Sequence, residues 1–161
     1  MRRTYYVLMI LCALGFGACS FSVGSNKDFS TGLSYGYNGF AVDEVLLVGP
    51  DNTVMSNNEV ALDTKVAILA QGIRNYELRD GKAFPGVMLK LTDKAGNAIL
   101  DEADLFASSD GFSTADAGIL RGTVTVGNPM KSGETYTLMM RIWDKNKPAN
   151  ELTATVDLVV K

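Results

Sequence analysis

From residue 29 onward, apolar and polar residues alternate along the chain with a period of two. Phe29, Leu33, Tyr35 and Tyr37 are interleaved with Ser30, Gly32, Ser34, Gly36 and Asn38. The run from Phe40 to Val48 is almost wholly apolar, and Gly49-Pro50-Asp51-Asn52 ends it as a turn. Val66–Ala70 is a second short apolar run. Val87, Leu89 and Leu91 alternate with Met88, Lys90 and Thr92. Lys94-Ala95-Gly96-Asn97 then turns the chain into Ala98-Ile99-Leu100. Leu120, Val124 and Val126 share a face opposite Arg121, Thr123 and Thr125. At the end of the chain, Tyr136, Leu138, Met140 and Ile142 alternate with Thr137, Met139, Arg141 and Trp143. Leu152, Ala154, Val156, Leu158 and Val160 alternate with Thr153, Thr155, Asp157 and Val159, and a loop from Asp144 to Asn150, containing Pro148, joins the two runs. That pattern is a hairpin with one buried face. No long window has helical spacing; a single helical turn is predicted within Asp101–Ser109, around Leu105-Phe106.

Seven or eight short strands separated by turns predict an all-β fold, an antiparallel sandwich. The last hairpin adds a resemblance. Gly133-Glu134-Thr135-Tyr136-Thr137-Leu138 resembles the Gly-x-x-Tyr-x-Leu opening of the penultimate strand in immunoglobulin-like domains of exported bacterial proteins. The resemblance covers residues 133–161, implies an immunoglobulin-like β-sandwich and carries no function. The Cys…Trp…Cys pattern of antibody domains is absent.

The first 28 residues follow a different logic. Arg2 and Arg3 precede the apolar run Tyr5–Phe16, and the small residues Gly17, Ala18 and Cys19 follow it. Charge, apolar core and small-residue cleavage site, in that order, make a secretory signal peptide. The run is shorter than the roughly 20 apolar residues a membrane span requires. Phe16-Gly17-Ala18-Cys19 resembles the lipobox of bacterial lipoproteins, although that family usually has Leu, Val or Ile where Phe16 stands. The resemblance implies cleavage after residue 18 and a lipid on Cys19, with further acylation, such as a palmitate, on the new N-terminus. Two or three chains anchor firmly at about 0.8 kcal/mol per buried CH2. The expected organisation is a signal peptide over 1–18, a lipidated Cys19 with a flexible tether over 19–28, and a domain over 29–161. Position 20 is Ser rather than Asp, which points to transfer to the outer membrane. As a whole, the chain is similar in style to small lipoproteins of Bacteroides-type bacteria.

Composition bounds the mature chain. Cys12 would leave with the signal, so Cys19 is the single cysteine of residues 19–161 and no internal disulfide can form. One domain of this length buries roughly 68% of its unfolded surface and folds without staples. Removing Arg2 and Arg3 from the 15 basic residues leaves 13 against 18 acidic, a net charge of −5. That balance, with no basic run, argues against nucleic acid, whose phosphates need Lys and Arg.

The residue inventory restricts chemistry. The chain has no histidine. Histidine general acid–base catalysis, Ser–His and Cys–His nucleophile pairs, and histidine-bound zinc are therefore excluded. No Gly-Lys-Ser/Thr phosphate loop occurs. Among metal ligands, the best cluster is Asp101, Glu102 and Asp104, followed by Asp110 and Asp116; calcium takes six to eight oxygens from such loops. The spacing lacks the Asp-x-Asp-x-Asp-Gly order, so no metal or cofactor is expected. Paired carboxylates for glycoside hydrolysis are the remaining enzymatic option.

The aromatic residues supply the binding candidates. Parity puts Trp143, Arg141 and Met139 on the face opposite Tyr136, Leu138, Met140 and Ile142. Trp143 then either folds over the sandwich end as a lid or contacts a partner. Tyr76 and Phe84 fall in the Gly/Arg/Lys-rich segment 72–86, which reads as a long loop with exposed aromatics. The resulting expectation is a non-enzymatic, lipid-anchored module of the bacterial envelope. It would bind an envelope protein or a glycan through Trp143, Arg141 and Met139; a small carboxylate-based carbohydrate hydrolase is the alternative.

Overall fold

A computed structural model describes residues 22–161, so the predicted signal peptide over 1–18 and Cys19 lie outside the described residues. Ten strands follow in chain order: β1 Val23–Lys27, β2 Ser34–Asn38, β3 Glu44–Val48, β4 Glu59–Val60, β5 Lys65–Gln71, β6 Pro85–Asp93, β7 Ala98–Glu102, β8 Ile119–Thr125, β9 Thr135–Asp144 and β10 Glu151–Val160. Among the described residues, a short α-helix, α1, spans Thr114–Ala117, and a single 3-10 turn spans Pro50–Asn52. No helix among the described residues is long and apolar enough to cross a membrane.

The strands form two sheets. The larger runs β1-β2-β10-β9-β6-β7, every neighbour antiparallel, with β4 adding a short parallel pairing to the end of β10. The smaller runs β3-β5-β8. The two sheets make an all-β sandwich, with β3, β5 and β8 on one side and β6, β9 and β10 on the other. The hairpin β1–β2 is an N-terminal addition that widens the large sheet beyond β10.

Alternation decides which face is inside. In β9, Tyr136, Leu138, Met140 and Ile142 are buried, and in β10 so are Leu152, Ala154, Val156, Leu158 and Val160. They meet Val87, Leu89 and Leu91 of β6, and across the sandwich Val45, Leu47, Val66, Ile68, Leu120 and Val124. The two sheets approach each other at Gly122, which faces Leu89 and Met140. A Cβ there would lie 2.6 Å from Leu89 Cδ1 and 2.9 Å from Met140 Sδ, so any larger residue would force those two side chains to shift.

Three local expectations need correction. The tether assigned to 19–28 contains a strand: Val23–Lys27 pairs with Asn38–Ser34, and the sheet therefore begins before residue 29. Four of the five β1 residues are exposed, so its ladder bonds hold it and the core gives the sequence no alternating signature. The strand count of seven or eight rises to ten for the same reason, β4 being two residues long. The helical turn expected around Leu105-Phe106 takes the form of two hydrogen-bonded turns, Ala107 N–H to Asp104 O at 3.3 Å and Ser109 N–H to Phe106 O at 3.1 Å, short of a helix. Residues 98–102 remain in β7, and the helix lies at α1, where the Ser113 hydroxyl caps it by accepting from Asp116 N–H at 3.1 Å.

Candidate binding face

The outward side of the large sheet carries the residues that parity nominates. Met139, Arg141 and Trp143 project from β9 away from the core, each partly buried. Antiparallel register sets their neighbours: Trp143 stands between Gly86 of β6 and Glu151 of β10, Arg141 between Met88 and Thr153, and Met139 between Lys90 and Thr155.

Trp143 owes its position to Gly86. A Cβ on Gly86 would fall 2.1 Å from Cε2 and 2.2 Å from Cζ2 of the indole. The ring therefore rests on bare backbone, on the sheet's outer surface, and does not close the sandwich end as a lid. The Arg141 guanidinium carbon lies over this ring, 5.3 Å from its centroid, a cation–π distance. Glu151 Oε2 holds the guanidinium from the neighbouring strand, accepting from Nε at 3.0 Å and Nη2 at 2.8 Å. Trp143, Arg141 and Glu151 thus form one pre-ordered unit. Met88 and Met139 flank it with adaptable apolar surface. One residue away, Lys90 pairs with Asp101 at 3.1 Å.

The loops beside Trp143 are tied down by buried polar groups. Asp144, fully buried, accepts from Glu77 N–H at 2.6 Å and Asn146 N–H at 2.9 Å. The amide of Asn150, also buried, donates to Asn75 O at 2.8 Å. The 144–150 loop and the 72–84 segment are thereby clamped together.

The acidic stretch serves the fold, and its members point to different partners. Asp101 faces Lys90. Glu102 is exposed at the end of β7. Asp104 takes over where β7 leaves the sheet: its Oδ1 accepts from Val87 N–H at 3.1 Å and Phe106 N–H at 2.9 Å, and its Oδ2 pairs with Lys145 at 2.7 Å. Partial burial pushes the Asp104 carboxyl up, but the Lys145 ammonium and the two N–H donors prevail and hold it below the usual carboxylate range. Among the described residues, Asp101, Glu102 and Asp104 form no metal-binding group, and Asp110 and Asp116 do not join them.

Tyr76 and Phe84 are not free aromatics. Tyr76 packs on Phe40, with centroids 4.9 Å apart, and donates to Ala117 O at 3.0 Å. Burial, with Asp144 nearby, raises its hydroxyl pKa. Phe84 lies beneath Arg79, whose guanidinium carbon is 4.3 Å from the ring centroid. The segment expected to be loop through residue 86 already enters β6 at Pro85. That shift hides Gly86, in the sequence, as the seat of Trp143, and with it Met88 as its neighbour. Glu151 is hidden too, because the alternating run begins at Leu152; a charged residue one step before an alternating strand is the available signal.

A second feature lies two strands away on the same face. Where β1, β2 and β10 meet, a broad, shallow concavity of about 680 Å³ is bordered by Ser25, Lys27, Phe29, Ser34, Thr153 and Thr155, with Gly36 in its floor and no Asp or Glu in its lining.

No model of a known protein family matches the chain, and no curated protein matches it significantly.

Proposed function

We propose that this domain is a non-catalytic binding module, held in the bacterial cell envelope by a lipid on Cys19, whose contact surface is the outward face of the large sheet. The observation that carries the reading is the Trp143–Arg141–Glu151 unit. It is a large rigid ring seated on Gly86 with an arginine fixed over it. Trp and Arg dominate binding energies because they bury much area for little lost freedom. Here both are ordered before a partner arrives, which lowers the entropy lost on binding. The partner is an envelope protein or a glycan.

The alternative, a carboxylate hydrolase, needs two carboxyl groups facing each other across a cleft. Asp101, Asp104 and Glu151 are each paired with a base, and among the described residues the concavity on this face is lined by no Asp or Glu. The pairing of these carboxylates favours binding. Location and anchoring rest on the signal and lipobox pattern of residues 1–19.

Two measurements test the reading. Cys19→Ala should remove acyl mass from the mature chain, read by intact-mass analysis of the membrane fraction. In that lipid-free chain, Trp143→Ala should weaken retention on isolated envelope material by about 2 kcal/mol, roughly thirtyfold, while the melting temperature changes little. A stability loss of about 3–5 kcal/mol, the range for a core Trp, would retire Trp143 as a contact residue.

A further inference from the structure

We propose that the trough over Gly36 is a binding subsite for an uncharged polysaccharide chain, which runs across the strands from β1 to Trp143. The inference rests on the open face being the binding surface and names the ligand class that face takes.

β1 contributes no residue to the buried core. Four of its five residues are exposed, and Val23, at one end, is 63% exposed. What β1 and β2 add is width: their outward residues Ser25, Lys27, Ser34 and Gly36 continue the face of β10 by two more strands. The trough exists because Gly36 has no side chain between Thr153 on one neighbour and Ser25 on the other. A Cβ there would find only Gly24 O at 3.7 Å and Ser25 Cβ at 4.0 Å.

The chemistry of the walls selects the ligand. Ser25, Ser34, Thr153 and Thr155 offer hydroxyls that both donate and accept. Those of Ser25, Thr153 and Thr155 take no side-chain hydrogen bond from the described residues, and Ser34 makes only a 3.4 Å contact to Thr155 O. A polyol matches such a surface, because each of its groups is also donor and acceptor. A polymer with an acid on every ring would find a single base there, Lys27 among the described residues, since Arg141 is already held by Glu151. At the outer end stands Phe29, 91% exposed, an aromatic face with no cover. At the other end stands Trp143. The row through Gly36 and Thr153 reaches Arg141 two strands on, about 10 Å away at the usual strand spacing. A few sugar rings laid across the strands would touch hydroxyls along the middle and an aromatic at each end. Protein contact surfaces, by contrast, concentrate energy in desolvated apolar anchors at the centre of a patch, and the floor here is the bare backbone of Gly36 between Ser25 and Thr153.

Trp143 is the only tryptophan in the chain, so its fluorescence reports on one end of the path. The experiment titrates the lipid-free Cys19→Ala chain with neutral β-1,4-glucan, α-1,4-glucan and β-1,4-mannan oligosaccharides, with polygalacturonate as the acidic comparison. Calorimetry covers the variant without the indole. The decisive variant is Gly36→Val, which fills the trough, its Cβ meeting no atom nearer than Gly24 O at 3.7 Å, and suits a strand. At least one neutral oligosaccharide should bind and change the Trp143 signal. Gly36→Val should weaken that binding at least tenfold while the melting temperature stays the same or rises. Loss of binding in Trp143→Ala with full binding in Gly36→Val would keep the open-face reading and overturn the trough. Binding of polygalacturonate alone, or of none of the sugars, would overturn the glycan inference.

Discussion

The two terminal hairpins of this domain are built to the same plan and held by different forces. In β9–β10 every second side chain is buried in the core. In β1–β2 no side chain is fully buried, and the pairing rests on the backbone ladder and on Tyr37, whose ring occupies the space a Cβ on Gly24 would need, 2.4 Å from Cζ. The difference shows that periodicity in a sequence records burial contrast rather than strand structure. A strand that is exposed on both sides leaves no pattern, and its outward residues are free to serve contact instead of stability.

The contrast breaks first at the C-terminal hairpin. Val156→Asp places an unpaired carboxylate where exposure is 1% and should prevent stable folding. Leu138→Ala should cost about 2–5 kcal/mol. Thr137→Ala and Thr155→Ala, on the outward side of the same strands, should each stay within about 0.5 kcal/mol. Thermal melts of the four variants check the ranking; the reverse order would mean a register off by one, with every face exchanged.

The contact between sheets is the next point to test. Gly122→Val drives a branched side chain into Leu89 and Met140, and overpacking of this kind costs about 1–3 kcal/mol. Gly36→Val, the same substitution on the open face, should cost nothing measurable. Denaturant midpoints of the pair would separate the face against the core from the face against solvent. Asp104→Ala follows at about 1–3 kcal/mol, because it leaves Val87 N–H and Phe106 N–H without their acceptor and Lys145 without its partner.

How much of the molecule is legible in its sequence follows from the same contrast. The sandwich, its inward series from Val87 to Leu91 and both strands of the last hairpin can be read because polar and apolar sides differ sharply there. Trp143, Arg141 and Met139 can be placed outward by parity alone. What parity cannot supply is their setting. Gly86 looks like loop punctuation because Pro85 precedes it, and its value lies in an absent side chain that matters only beside β9. Asp101, Glu102 and Asp104 look like one acidic cluster. Asp101 lies in a strand and Asp104 in the turn beyond it, so adjacency in sequence becomes separate ion pairs in space. Phe29 fits an alternation with Leu33 and Tyr35, yet it sits in the turn between β1 and β2 and faces solvent, because Asp28 and not the core sets the conformation there.

That turn gives the smallest effect and the sharpest contrast between the hairpins. Asp28 Oδ1 accepts from Ser30 N–H at 2.9 Å and from the Ser30 hydroxyl at 2.6 Å, and Oδ2 accepts from the Thr31 hydroxyl at 2.7 Å. The Ser30 hydroxyl, with Thr31 and the backbone donors, holds the carboxyl at about 2, below its usual 3.8. A lowered folded-state pKa means that the ionised group stabilises the turn, fully above the unfolded value and progressively less as pH falls through the folded one. Asp28→Asn should therefore loosen β1–β2 at pH 6 and come much closer to the native chain near pH 2, where the carboxyl is half protonated. The β9–β10 amides should not respond, since the Asp28 carboxylate bonds only within its own turn. Hydrogen exchange of the Gly24 and Tyr35 amides against those of Leu138 and Val156, in both chains across pH 2–6, reads this directly. If the native chain and the Asp28→Asn variant differ equally at both ends of that range, the turn is held by shape and not by the charge on Asp28.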